Sequence, residues 1–159
     1  MKKCFWLALS LALALCLTAC GGENGDASKS VWETGHVQDI VNAGAFSEEL
    51  EELDADTAYM LYRLEDYNIE RDALEGAAIL RSAGATCEEV AVLQFVGEEN
   101  ATSAEQALKN YITDQIDSNT DYRPAEISKL EGAWLERKGY TVLMVVANDM
   151  AAAKAAVQK

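Results

Sequence analysis

The amino-acid sequence predicts an α+β domain in which an antiparallel sheet of about four strands carries helices on one face, a two-layer fold. Two observations lead to this class. At two places a pair of short apolar segments flanks a Gly-containing turn, as in β-hairpins, and each pair is followed by an Ala-rich segment of helical character. The order strand-strand-helix therefore occurs twice, and short helices precede it.

The N-terminus has the features of a bacterial export signal. Lys2 and Lys3 precede an apolar run at residues 4–17, which is shorter than the roughly 20 residues that a membrane-spanning helix needs. The run ends in Leu-Thr-Ala-Cys, which resembles the lipobox where a Cys thiol takes a diacylglyceryl group before cleavage. We therefore predict a lipoprotein signal peptide at residues 1–19 and a lipid on Cys20.

The segment after Cys20 is rich in Gly and polar residues and has no apolar period. We predict a flexible tether at residues 20–30, with a reach of roughly 17 Å for ten residues, and a single domain at residues 31–159. The acylated Cys20 would hold this domain on the extracytoplasmic face of the cell membrane, because two or more acyl chains anchor stably.

The first part of the domain predicts short helices. Residues 36–44 have apolar positions at helical spacing and end at Gly44. After an acidic segment, Asp54 or Asp56 can cap a helix that continues through Leu64.

The first strand-strand-helix unit follows. Residues 77–81 and 89–96 predict two strands joined by a short Gly-containing connection. Thr102 with Glu105 three residues later matches a capping box, and the positions that follow place apolar residues on one helix face through Ile116.

The second unit begins after Pro124, which fits the first turn of a short helix through Leu130. Residues 133–137 and 140–146 predict a hairpin with a tight turn at Lys138-Gly139. Asn148 or Asp149 can then cap a closing helix through Val157.

The charge of the chain excludes one class of partner. The 27 acidic residues outnumber 13 basic ones, and removal of Lys2 and Lys3 leaves 11, for a formal charge of −16 on the mature chain. Such a surface repels phosphate backbones, so we predict no nucleic-acid partner. Cys87 is the one Cys that neither leaves with the signal nor takes the lipid, which excludes an intramolecular disulfide.

Three motifs of the domain resemble those of a family of small Gram-positive lipoproteins that carries a domain of unknown function. The segment Ala-Thr-Cys-Glu-Glu-Val-Ala-Val at residues 85–92 is similar to the family's Glu-Glu strand, and Tyr-Arg-Pro-Ala-Glu at residues 122–126 to its Tyr-x-Pro-x-Glu loop. Residues 130–140 resemble its last hairpin. The resemblance extends over residues 48–157 and implies location and fold but no active site.

The sequence offers few groups for catalysis. His36 is the single histidine, so a site with several histidine ligands is excluded, and a Cys87–His36 dyad is the one thiolate pair the residues permit. Cys87 at the start of a core strand is more typical of an apolar filler. Glu88 and Glu89 point to opposite faces of a strand and cannot form a glycosidase pair.

The acidic and aromatic residues of the domain offer two further kinds of candidate site. Asp54, Asp56 and Glu65 match three EF-hand positions, but Tyr59 occupies the position of the sharp-turn Gly, so the EF-hand is rejected. Whether the acidic segment 48–56 binds calcium stays open beside its interpretation as a solvated face. Three aromatic residues are candidates for a partner-binding surface: Trp134, Tyr122 and Tyr140.

The sequence therefore predicts a membrane-anchored lipoprotein with a non-enzymatic binding or accessory domain for an envelope component, solute or protein partner. We predict no cofactor and no metal site. Two alternatives remain: a small envelope enzyme that uses Cys87 and His36, and a structural subunit whose exposed sheet face docks on a membrane protein.

Overall fold

The computed structural model describes residues 31–158, which form a five-stranded antiparallel sheet in the order β1-β2-β3-β5-β4, with five α-helices. The strands are β1 Glu51–Leu53, β2 Leu74–Arg81, β3 Glu89–Phe95, β4 Trp134–Lys138 and β5 Thr141–Val146. The helices are α1 Gly35–Asn42, α2 Ala55–Leu61, α3 Glu98–Asn119, α4 Ile127–Glu131 and α5 Met150–Val157. The α+β class and the short helices before the sheet are confirmed. The predicted signal peptide, Cys20 and tether lie outside the described residues.

The two central strands are apolar on both sides, which decides the number of layers. In β3, Ala91, Leu93 and Phe95 face one side of the sheet, while Val90 and Val92 face the other. Neighbouring β5 alternates in the same way, with Val90 opposite Val145 in the antiparallel register. Because every one of these side chains is buried, both faces of the sheet need a cover.

Helices cover both faces, so the arrangement has three layers where the sequence predicted helices on one face. Helices α2 and α3 pack over one face with Ala58, Leu108 and Tyr111. Helices α1 and α5 pack over the other face with Ile40 and Ala153. The two strand-strand-helix units exist as predicted, but α3 and α5 lie on opposite sides of the sheet.

Two local predictions were wrong. The fifth strand, β1, was missed because its residues Glu51-Glu52-Leu53 have no strand propensity of their own; it pairs with the edge of β2. The capping box at Thr102 is not formed, because α3 begins four residues earlier, after Gly97, and the Thr102 hydroxyl donates to the carbonyl oxygen of Glu98.

The predicted helix caps at Asp54 and Asp149 are present, although α2 ends at Leu61 and not at Leu64. Asp54 caps α2 and Asp149 caps α5, each by accepting a hydrogen bond from the backbone N–H three residues later. The tight turn between β4 and β5 lies at Gly139-Tyr140, one residue beyond the predicted position. Among residues 31–158, no helix has the length and apolar character needed to cross a membrane.

Candidate functional site

Two consecutive glutamates lie at the start of β3, and both are buried. Glu88 has no exposed surface and Glu89 has 3%. Their side chains enter different surroundings, as the sequence predicted for neighbouring strand residues. Buried carboxylates require hydrogen bonds or cations, and each of the two has both.

Glu89 lies between two tyrosines on the face that α2 and α3 cover. The hydroxyl of Tyr62 donates to Oε1 at 2.5 Å and that of Tyr111 to Oε2 at 2.8 Å. The Arg81 Nε atom is 3.2 Å from Oε2. Burial raises the pKa of the Glu89 carboxyl, although the three donors act in the opposite direction. Burial also raises the pKa of Tyr62 and Tyr111, so both remain hydrogen-bond donors.

Glu88 binds two elements that are distant in sequence. Ser47 donates its backbone N–H at 2.8 Å and its hydroxyl at 2.7 Å, and the Lys129 Nζ atom lies 2.9 Å from Oε1. Lys129 also lies 3.1 Å from Glu126. Burial lowers the pKa of Lys129, but its hydrogen bonds to Glu88 and Glu126 outweigh that effect and raise it. The ammonium group is therefore charged at physiological pH.

The motif at residues 122–126 contacts the strand motif at residues 85–92 directly. The Glu126 carboxylate accepts the backbone N–H of Cys87 at 3.0 Å, and the Arg123 Nη1 atom donates to the carbonyl oxygen of Thr86 at 2.9 Å. Two segments that resemble family motifs thus form one structural unit. Their ordered contacts place Arg123 beside the loop that joins β2 to β3.

That loop, residues 82–88, is held by internal hydrogen bonds. The Ser82 hydroxyl accepts the backbone N–H groups of Gly84 and Thr86 and donates to Glu48 at 2.6 Å. The Thr86 hydroxyl donates to the same Glu48 oxygen, also at 2.6 Å. The hydrogen bonds from Ser82 and Thr86 lower the pKa of Glu48. The loop is therefore fixed in position.

A polar cleft of about 380 Å³ opens beside this loop. It lies between the end of the β1–β2 ladder, the C-terminal half of α3 and Arg123. Its volume is within the roughly 300–1,000 Å³ that small-molecule sites occupy. The polar side chains on its walls are Glu51, Arg81, Ser82, Thr86, Gln115 and Arg123.

A smaller cleft of about 180 Å³ adjoins the first, since Gln115 lines both. Its walls include Tyr62, Tyr111 and Asn110, whose side-chain amide donates to the hydroxyl of Tyr67 at 2.6 Å. The buried Glu89 connects the two clefts, because its partner Arg81 lines the larger and its two tyrosine partners line the smaller.

The structure does not bring Cys87 and His36 together. His36 packs edge-on against Trp32, whose carbonyl oxygen accepts a hydrogen bond from Gln94 near the end of β3. Cys87 precedes the start of β3, and seven strand residues span roughly 23 Å. The His36 Nδ1 atom accepts the backbone N–H of Glu33. Burial raises the pKa of the half-buried Cys87 thiol.

The three candidate aromatic residues have different environments. Trp134 is buried, with 9% exposure, which corrects its assignment to a binding surface. Its ring meets Trp32 edge-to-face at 5.3 Å between centroids, and its Nε1 atom donates to Glu136. Tyr122 and Tyr140 are exposed, by 82% and 42%. Tyr122 directly precedes Arg123, which lines the polar cleft.

Among residues 31–158, no three metal-ligating side chains converge in a group that could hold an ion. Carboxylates of the acidic segment instead bind other groups of the domain. Glu48 binds the loop hydroxyls, Asp54 caps α2 and Asp56 pairs with Arg71 at 2.6 Å.

Sequence reasoning missed the cleft and its arginines. Arg81, Gln115 and Arg123 belong to three separate segments, and no spacing rule connects them. The signal that was available is the resemblance of residues 85–92 and 122–126 to two family motifs, which in the structure contact each other.

Comparison with models of known protein families identifies the family of this chain. Residues 47–147 match the model of a family described as Domain of unknown function (DUF4358), and the protein belongs to that family. No curated protein and no solved structure matches the chain significantly.

Proposed function

We propose that this protein is a Gram-positive lipoprotein, anchored through acylated Cys20 on the extracytoplasmic face of the cell membrane. Its domain, residues 31–159, acts there as a non-enzymatic binding or accessory domain. The anchor rests on the basic N-terminus, the short apolar run and the Leu-Thr-Ala-Cys sequence at residues 17–20.

The polar cleft is the observation that favours binding. It is formed by ordered elements, since Ser82, Thr86 and Arg123 are all held by hydrogen bonds within the domain. Its two hydroxyl groups, those of Ser82 and Thr86, both donate to Glu48 and hold the loop in place. A preformed polar cleft suits recognition of a solute or envelope component.

The two alternatives receive less support. An enzyme that uses Cys87 and His36 would need the two side chains within hydrogen-bond reach, whereas they lie at opposite ends of β3. A structural subunit that docks through an exposed sheet face would need such a face, and helices cover both.

Metabolic labelling with a palmitate analogue tests the anchor. We expect label in the wild type and in Cys87→Ser, which is the matched control, and none in Cys20→Ser. Mass spectrometry of the mature N-terminus should find acylated Cys20. Equal labelling of Cys20→Ser and wild type would refute the lipid attachment.

A further inference from the structure

Arg123 differs from every other arginine of the chain. The other four each have a carboxylate oxygen within 4 Å: Arg63 with Asp66, Arg71 with Asp56, Arg81 with Glu89 and Arg137 with Glu105. Among the described residues, Arg123 has no such partner. In a chain with 27 acidic and 13 basic residues, an arginine without a carboxylate is unexpected.

The Arg123 guanidinium is held in place at the cleft wall. Its Nη1 atom donates to the Thr86 carbonyl oxygen at 2.9 Å, and its backbone N–H donates to the carbonyl oxygen of Asn119 at 2.7 Å. Pro124 follows directly and restricts the backbone of Arg123. The side chain is half-buried, so its charge is only partly solvated. A fixed, planar cation with free N–H donors is suited to binding carboxylate or phosphate.

The remaining polar groups define what such a ligand can be. The hydroxyls of Ser82 and Thr86 already donate to Glu48, which leaves Arg123, Arg81 and Gln115 as donors. Glu51, the cross-strand partner of Arg81, adds a negative charge to the wall. That carboxylate and the net charge of the chain disfavour a polyanion, whereas one anionic group beside Arg123 is compatible with both.

We propose that the cleft binds a small solute through one anionic group, a carboxylate or a phosphate, which pairs with Arg123. Arg81 and Gln115 contact the same ligand. This inference rests on the proposed binding function and names its ligand class. The cleft volume leaves room for the uncharged body of the molecule beyond the anion.

The test uses the full chain in detergent, ¹⁵N-labelled and titrated at constant ionic strength with sodium acetate, sodium phosphate or sodium chloride. We expect a saturable shift of the Arg123 Nε–H resonance with acetate or phosphate and none with chloride. A response to acetate alone identifies a carboxylate ligand, and a response to phosphate alone identifies a phosphate ester.

Two variants make the test specific. Arg123→Gln, followed through the backbone amide resonances of Ser82 and Thr86 at the cleft wall, should weaken binding at least tenfold while circular dichroism shows an unchanged fold. Arg71→Gln is the matched control, because Arg71 also donates to a backbone carbonyl, that of Leu74, but lies away from the cleft. Its affinity should equal that of the wild type.

Absence of a saturable shift in folded wild type, or equal loss in both variants, would overturn the anion site. The lipid anchor would be unaffected by that result, because palmitate labelling of Cys20 reports on it independently. If the palmitate labelling failed, the titration would still test the anion site independently.

Discussion

Lys129 of α4 lies 2.9 Å from Glu88, a carboxylate with no exposed surface, and this ion pair joins α4 to the start of β3. Removing one partner of a buried ion pair leaves an uncompensated charge, which costs about 3–5 kcal/mol. Because Ser47 also binds Glu88, we expect Lys129→Gln to lower the free energy of unfolding by about 3 kcal/mol. Urea denaturation measures it.

Lys109→Gln is the control for this change, since Lys109 is exposed on α3 and forms no ion pair with a described residue. It should alter stability by less than about 0.5 kcal/mol. A similarly small effect of Lys129→Gln would show that Glu88 does not depend on the ammonium group.

Glu89 should make the domain less stable as the pH rises from acid. Its pKa is raised in the folded state by burial. Below about pH 4.3, the carboxyl is protonated in both states. Between that value and the raised folded pKa, the unfolded chain releases the proton first, so stability falls with pH. The uncharged Glu89→Gln lacks this loss, and its stability relative to wild type should increase across that window.

Urea denaturation of both proteins from pH 4 to pH 8 measures this difference. Glu75→Gln, at an exposed position of β2, should show no such trend relative to wild type. If wild type instead gains stability over Glu89→Gln as the pH rises, Arg81 and the tyrosines favour the ionised carboxylate more than burial opposes it.

The cap of α5 should contribute measurably. The Asp149 carboxylate accepts the backbone N–H of Ala152 at 2.9 Å, and loss of such a cap costs about 1 kcal/mol. We expect Asp149→Ala to lower the melting temperature by several degrees in a domain of this size. The exposed neighbour Asn148 provides the comparison, and Asn148→Ala should leave the melting temperature unchanged. Equal effects of the two would contradict the capping role.

Cys87 should react slowly with electrophiles. Burial raises the pKa of its thiol, and the thiolate is the reactive form. At pH 7.5 we expect iodoacetamide to alkylate folded Cys87 more slowly than it alkylates glutathione, and urea to remove the difference. Faster reaction than glutathione would support the alternative of an enzyme that uses this thiol.

The sequence was sufficient for elements whose signal is local. The hairpin at Gly139, the caps at Asp54 and Asp149, and the helices next to them follow from turn and capping chemistry. Strand β1 could not be predicted, because Glu51-Glu52-Leu53 becomes a strand only by pairing with β2. Apolar residues on both sides of β3 are visible in the sequence and indicate a sheet covered on both faces, but the prediction placed helices on one face only.

The site depends on contacts that sequence spacing does not encode. Arg123 reaches Thr86 from 37 positions away, and Lys129 reaches Glu88 from 41. The burial of Trp134 likewise depends on Trp32, over 100 residues earlier, which lies against its ring. Only the folded chain brings these pairs together.

The apolar layer beneath α1 and α5 determines the shortest fragment of this protein that can be expressed as a folded domain. The family match ends at residues 47 and 147, yet Trp32, Ile40 and Ala153, which lie beyond those limits, cover one side of the sheet. A fragment trimmed to the matched residues would expose Val90, Leu143 and their apolar neighbours to water. Such a fragment would aggregate, so expression boundaries belong outside residues 32 and 157.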